Sequence, residues 1–325
     1  MGNDNSGYIA LELAAVVLIL LVLAGLALMD KQSNHPSGNY TAPTTQGTMP
    51  TTTSTQTTTN NHCPANPPPK YNTIIDLYKA CRFLENQELD NTGLLVASNG
   101  NNSDSRMIYL THDNYLAMKA LGICNSRLAD KIRDALSKYN VTSDTRYSVL
   151  FGEPYNFSKP PNNLGKIIVG TIEYTNKTYT IAVDRLNTSS PLVNWTRYAD
   201  WVALMGINYL LQGNTSGALI MYSDLMNIWD GYGFNDSATL DTYSTYKVAL
   251  AVYMTRLMES YGLNVNHTLL EEWLGIIQGL QAGDGGFYTD YSVINGTVIH
   301  VGSENVETTS LVIISLYYKP RLDNC

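Results

Sequence analysis

The stretch Leu280–Tyr291 reads LQAGDGGFYTDY, and after a short polar loop the chain continues from Glu304 to Leu316 as ENVETTSLVIISL. Helix-forming residues stop at Asp284-Gly285-Gly286-Phe287 and resume in a segment that opens with an acid and two threonines. Apolar residues at three- and four-residue spacing predict helices over 71–89, 112–121, 126–139, 198–211, 216–229, 241–261, 268–281 and 307–318. The break therefore separates two helices. It also recurs: FLENQELDNTGLLV (Phe83–Val96) precedes HDNYLAMKAL (His112–Leu121), and LMNIWDGYGFND (Leu225–Asp236) precedes LDTYSTYKVAL (Leu240–Leu250). Aligning the closing Leu121, Leu250 and Leu316 brings His112, Asp241 and Glu307 into one column and Asp113, Thr242 and Thr308 into the next. Upstream, Asp90, Asp230 and Asp284 precede Gly93, Gly233 and Gly286, each followed by Leu94, Phe234 or Phe287.

The repeat has a physical reading. An outer helix ends, an Asp-Gly turn reverses the chain with glycine free to take positive φ, an apolar residue plugs the turn, and a second helix starts on an Asp or Thr cap. A fourth copy begins at Asp200 in YADWVALMGINYLL (Tyr198–Leu211). There the preceding element is replaced by alternating sequence over about 147–186, in which KIIVGTIEYTNKTYTIAVDRL reads as a β-hairpin turning at Thr175-Asn176-Lys177, inserted among helices. Helical hairpins that cannot bury both faces alone stack on one another.

The series Gln281, Asp284, Gly285, Gly286, Phe287 resembles the Q-x-x-D-G-G-F/W signature of α/α-toroid proteins, which include six-hairpin glycosidases, terpenoid cyclases and protein prenyltransferase β-subunits. The resemblance implies an all-α toroid over residues 70–325, small or incomplete because only three or four hairpins are legible. It further implies that the second helices of the pairs open at one mouth, gathering His112, Asp113, Asp200, Asp241, Glu304 and Glu307 with Trp201, Trp229, Tyr232 and Tyr243. In the six-hairpin glycosidases such a mouth carries an acidic pair and sugar-stacking aromatics. On that resemblance Asp241 and Glu307 are the expected catalytic pair, supported by Asp113 or Asp200, and His112, Trp201, Trp229, Tyr232, Tyr243 and Glu304 are the expected substrate contacts. Helix dipoles and capping also favour acids in a first turn, which is a purely architectural reason for the same column. Thr242 and Thr308 could relieve Asp241 and Glu307 of that duty.

Other chemistries lack their residues. There is no Asp-rich cyclase run, no Gly-rich phosphate loop, no G-x-S-x-G elbow and no H-E-x-x-H helix, and the cysteines do not stand near histidines at ligand spacing. No metal set and no cofactor is therefore read. The net charge is −8 with scattered basic residues, which argues against nucleic acid.

Outside the repeats, a short tail (1–7) precedes Tyr8–Met29, an apolar run of about 22 residues with a single charge, Glu12, expected to span a membrane. Its start from Gly7 also resembles the mature start of type IV pilins. Residues 30–69 form a Thr/Ser/Pro-rich stalk without a core. Glycosylation sequons begin at Asn39, Asn101, Asn140, Asn156, Asn176, Asn187, Asn194, Asn214, Asn235, Asn266 and Asn295, placing the C-terminal domain outside the cell. Four cysteines fit that compartment and allow three pairings, of which Cys63 with Cys325 and Cys81 with Cys124 is favoured because a closed ring of helices brings its termini together. The expectation is a single-pass, membrane-anchored, extracellular glycan-active protein, a glycoside hydrolase if catalytic. The alternative is a non-catalytic carbohydrate- or protein-binding surface module, including a self-assembling pilin-like filament subunit.

Overall fold

The structure, a computed structural model, describes residues 75–141, 146–238 and 242–319, without the side chains of 186–189. The chain divides into units 1–58 and 59–325, and every described residue belongs to the second. The expected membrane span, the stalk, Asn39, Cys63, Asp241 and Cys325 lie outside the described residues. Among the described residues no helix is long and apolar enough to cross a membrane.

In chain order the elements are α1 (Leu77–Asn86), β1 (Met107–Tyr109), a π-helical turn (Leu110–Asn114), α2 (Tyr115–Ile123) and α3 (Leu128–Lys138). A 3-10 turn (Tyr147–Phe151) follows, then β2 (Asn162–Tyr174), β3 (Lys177–Pro191), α4 (Ala199–Leu211) and α5 (Thr215–Ile228). The chain closes with β4 (Tyr243–Ser244), α6 (Thr245–Ser260), α7 (His267–Gly279), β5 (Phe287–Ile294), β6 (Thr297–Asn305) and α8 (Val306–Tyr317).

The fold is mixed α/β, which corrects the all-α toroid expected from the sequence. The described residues form two three-stranded sheets, ordered β1-β3-β2 and β4-β5-β6. The hairpin β2–β3 is no free insertion, because β3 also pairs in parallel with β1, Ile108 opposite Ile181. It begins at Asn162, and residues 147–151 instead form a buried 3-10 turn. The segment read as a polar loop after Phe287 is the hairpin β5–β6, turning at Asn295 (φ 52°) and Gly296 (φ 77°). An Asn-Gly pair between alternating residues is a strong hairpin signal, since both positions need positive φ.

The helices form two populations. On α4, α6 and α8 nearly every side chain is buried, whereas α1 and α3 each bury one face. A helix apolar all round belongs in an interior. Accordingly α6 packs against α4 and α8, and α8 packs in turn against α2. A disulfide between Cys81 and Cys124 ties α1 to the end of α2.

The three junctions share a local architecture. Each is closed by an isolated β-bridge: Glu88 with Leu95, Trp229 with Phe234, and Gln281 with Phe287. Asp230 Oδ1 accepts from the Gly233 amide at 3.1 Å and Asp284 Oδ1 from the Gly286 amide at 3.0 Å, so these two acids build their turns. In the first and third junctions the bridge residue is held by the next helix: Leu95 N donates to Asn114 Oδ1 at 2.7 Å, and Phe287 N to Thr309 Oγ1 at 3.0 Å. Asn114 and Thr309 immediately follow Asp113 and Thr308 in the aligned column.

Candidate functional site

The first and third junctions deliver their helix starts to one place. The π-turn after β1 carries His112 and Asp113, and α8 carries Glu307 in its first turn. One ligand atom from each of these three side chains lies within 4.8 Å of the others. Single-turn π segments recur at functional sites because they re-aim side chains that a regular helix would hold in line. The Thr111 hydroxyl accepts from the Asp184 amide at 2.8 Å, pinning β3 beside the π-turn. That register places Asp184 Oδ2 at 2.6 Å from His112 Nδ1 as an ion pair, while His112 Nε2 lies 3.3 Å from Asp113 Oδ1. The His112 ring stacks on Tyr109, centroids 4.9 Å apart.

A second line of polar groups runs away from Glu307. The Tyr147 hydroxyl donates to Glu307 Oε1 at 2.9 Å, and Arg146 Nη2 donates to the Tyr147 oxygen at 3.2 Å. Arg146 Nη1 lies 3.9 Å from Asp200 Oδ2, and the guanidinium sits over the Tyr147 and Trp201 rings at 4.7 and 5.6 Å. Four carboxylates thus converge on one histidine and one arginine.

Burial and mutual charge set the protonation of this group. Burial alone lowers His112, but the carboxylates of Glu307, Asp113 and Asp184 overcome it and hold the imidazole at about 10. Burial raises Asp113 well above the usual carboxylate range against the pull of His112. Asp184 lies below its ordinary value, since the hydrogen bond and charge of His112 outweigh its own burial. Tyr147 and Tyr246 are raised by burial, which keeps both hydroxyls protonated.

Capping does not explain these acids. The α8 cap is Asn305, whose Oδ1 accepts from the Thr308 amide at 2.8 Å, so neither Glu307 nor the Thr308 side chain is needed there. At the start of α4 the Ala199 amide is bonded by Asp236, leaving Asp200 to Arg146. Asp113 forms no side-chain cap to α2.

No protein-family model, curated protein or solved structure matches this chain.

Of the residues expected at a common mouth, His112, Asp113, Glu307, Asp200 and Trp201 meet, although Trp201 is buried and faces Arg146 rather than solvent. Trp229, Tyr232, Tyr243 and Glu304 do other work. Trp229 packs edge-on against Phe234 and Trp273, and the Tyr243 hydroxyl donates to Asp230 Oδ2 at 2.7 Å. The Tyr232 carbonyl accepts from Tyr291, and Glu304 stands opposite Tyr288 across β5–β6. These four belong to the second junction and the second sheet, where Tyr232 is exposed, and none of them joins the His112, Asp113 and Glu307 group.

Arg146, Tyr147 and Asp184 were missed from sequence. Each reaches the cluster from an element whose partner is distant in the chain. The one available signal was a charged residue leading the short, apolar-rich run 147–151.

The sequon asparagines form a separate pattern. Asn101, Asn140, Asn156, Asn176, Asn194, Asn214, Asn235, Asn266 and Asn295 are all exposed. Asn176 and Asn295 occupy the two hairpin tips, and Asn214 and Asn266 cap α5 and α7. Asn39 and the side chain of Asn187 lie outside the described residues.

Proposed function

We propose that this is an extracellular, glycan-active protein that hydrolyses a bond in a carbohydrate at the centre formed by Glu307, Asp113 and His112. The observation that carries the reading is the approach of Glu307 and Asp113 to within 4.8 Å by side chains that capping does not use. Close carboxylate pairs are what glycan hydrolysis requires, and the half-buried Glu307 is the member placed to meet a ligand. Asp113 takes the place that the sequence assigned to Asp241. Exposure of all nine described sequon asparagines supports a secreted or surface compartment.

The test is a hydrolysis screen of the full-length chain against soluble oligosaccharides, read by mass spectrometry of products. Glu307→Gln and Asp113→Asn should each reduce turnover by about 100-fold or more, the size of effect that loss of a group acting in the transition state produces. Turnover unchanged in both variants overturns the assignment. Saturable glycan binding without product in the unmodified chain favours the non-catalytic surface module instead, a reading supported by the near-complete burial of Asp113 and Tyr147.

A further inference from the structure

We infer that His112, Asp113 and Glu307 form a binding site for one divalent transition-metal ion of the zinc type. The donor set is one imidazole nitrogen and two carboxylates, with one atom from each within 4.8 Å of the others. Ligands about 2.0–2.2 Å from a zinc ion sit about 3.5 Å apart, so small side-chain rotations close the remaining gap. The groups behind these ligands are also in place. Asp184 lies against His112 Nδ1 and leaves Nε2 turned toward Asp113, which is the carboxylate–histidine arrangement that orients metal-binding imidazoles. Tyr147 donates to one oxygen of Glu307 and leaves the other for a cation.

Two independent observations point to a missing positive charge. Asp113, with its side chain only 3% exposed, has His112 as its only ion-pair partner among the described residues. A buried acid in that position is costly unless something pairs with it. Second, four acids, Asp113, Asp184, Asp200 and Glu307, converge on two basic side chains, His112 and Arg146, with Lys166 exposed at the rim. A divalent ion offsets the surplus of acids over basic side chains. Mixed nitrogen and oxygen ligands suit zinc or manganese and disfavour calcium, which prefers an all-oxygen shell. Three protein ligands also leave coordination positions for water and for an oxygen of a bound ligand. Cation binding rests on this geometry alone, and its use in hydrolysis rests on the function proposed above.

The experiment uses the full-length chain, dialysed against a chelator and then titrated separately with Zn²⁺ and Ca²⁺ by calorimetry, with elemental analysis for stoichiometry. One zinc per chain is expected, with no comparable calcium binding. Glu307→Gln and Asp113→Asn should each weaken zinc at least 10-fold, and Asp184→Asn about 10-fold or more through the orientation of His112. His300→Ala, on exposed β6, should leave binding unchanged. Glu307→Asp keeps a carboxylate and should retain more affinity than Glu307→Gln; equal loss in the two would assign the effect to packing and overturn the site. Absence of stoichiometric zinc, or zinc bound by Glu307→Gln and Asp113→Asn as tightly as by the unmodified chain, also overturns it. Because binding is read without substrate, a chain that binds zinc but hydrolyses no glycan sinks the hydrolase reading and leaves the metal site standing.

Discussion

The third junction, at Gln281–Phe287, and the second, at Trp229–Phe234, repeat one sequence pattern and end in different chemistry. Both close with a β-bridge and an Asp that accepts backbone amides, and each has a glycine at φ near 100°. Downstream of the third junction, α8 opens with Glu307 in a polar, charged cluster. Beside the second, Tyr243 closes back on Asp230 and packs at a tilt against Tyr291, giving an aromatic contact instead. A shared turn architecture therefore fixes where a helix starts and leaves the chemistry at that start to whichever distant segments pack there. The first junction resembles the third, because β3 sets Asp184 against its His112 and Tyr147 of the 3-10 turn bonds Glu307 in the same cluster.

That contrast can be broken at several strengths. The first junction carries the only disulfide among the described residues, closing a loop of 43 residues between Cys81 and Cys124. Replacing both cysteines by alanine should cost about 4 kcal/mol by loss of loop-closure constraint, measured by denaturant unfolding. Next, Gly285→Ala should cost about 3 kcal/mol, because an added Cβ would meet the Lys79 backbone of α1 at 2.2 Å and the φ of 101° is itself unfavourable. Gly231→Ala, at φ 98° with nothing within 4 Å, should cost only about 1 kcal/mol. Equal costs at the two glycines would mean that the third junction is not packed against α1 as described.

Smaller effects separate the two helix starts. Tyr147→Phe removes the donor to Glu307 from a fully buried position and should cost about 2 kcal/mol. Tyr243→Phe removes a bond to the exposed Asp230 and should cost about 0.5 kcal/mol or less, both read from urea midpoints.

A separate probe is pH. His112 in the folded metal-free chain is raised from 6.5 to about 10, so its contribution to stability is complete below 6.5 and disappears as pH rises through 10. Tyr243, raised from 10 to about 12 by burial and by Asp230, changes only above 10. Unfolding measured at pH 6, 8 and 10 should therefore show a decline that Asp184→Asn reduces and Tyr243→Phe leaves in place.

Much of the helical framework was legible because its signals are local. Three- and four-residue apolar spacing located all eight α-helices among the described residues, and the Asp-Gly turns marked breaks between them. The second hairpin was equally local, at Asn295-Gly296, but the surrounding toroid-like pattern made its alternation look like loop. The parallel pairing of β1 with β3 was not legible, since three residues of strand carry no period and their partner lies about 70 positions away.

The candidate site divides the same way. The alignment of His112 with Glu307, and of Asp113 with Thr308, singled out the helix starts that meet, because repeated junctions set equivalent positions by local geometry. Sequence by itself thus determined the helices, their turns, the exposed sequons and the polar character of those starts. Only the tertiary structure decided that Asn305 caps α8 and releases Glu307, and that Asp184 and Tyr147 arrive from a strand and a 3-10 turn to hold His112 and Glu307. Caps and buried charge pairs depend on which neighbours remain after packing, and no periodicity along the chain encodes that.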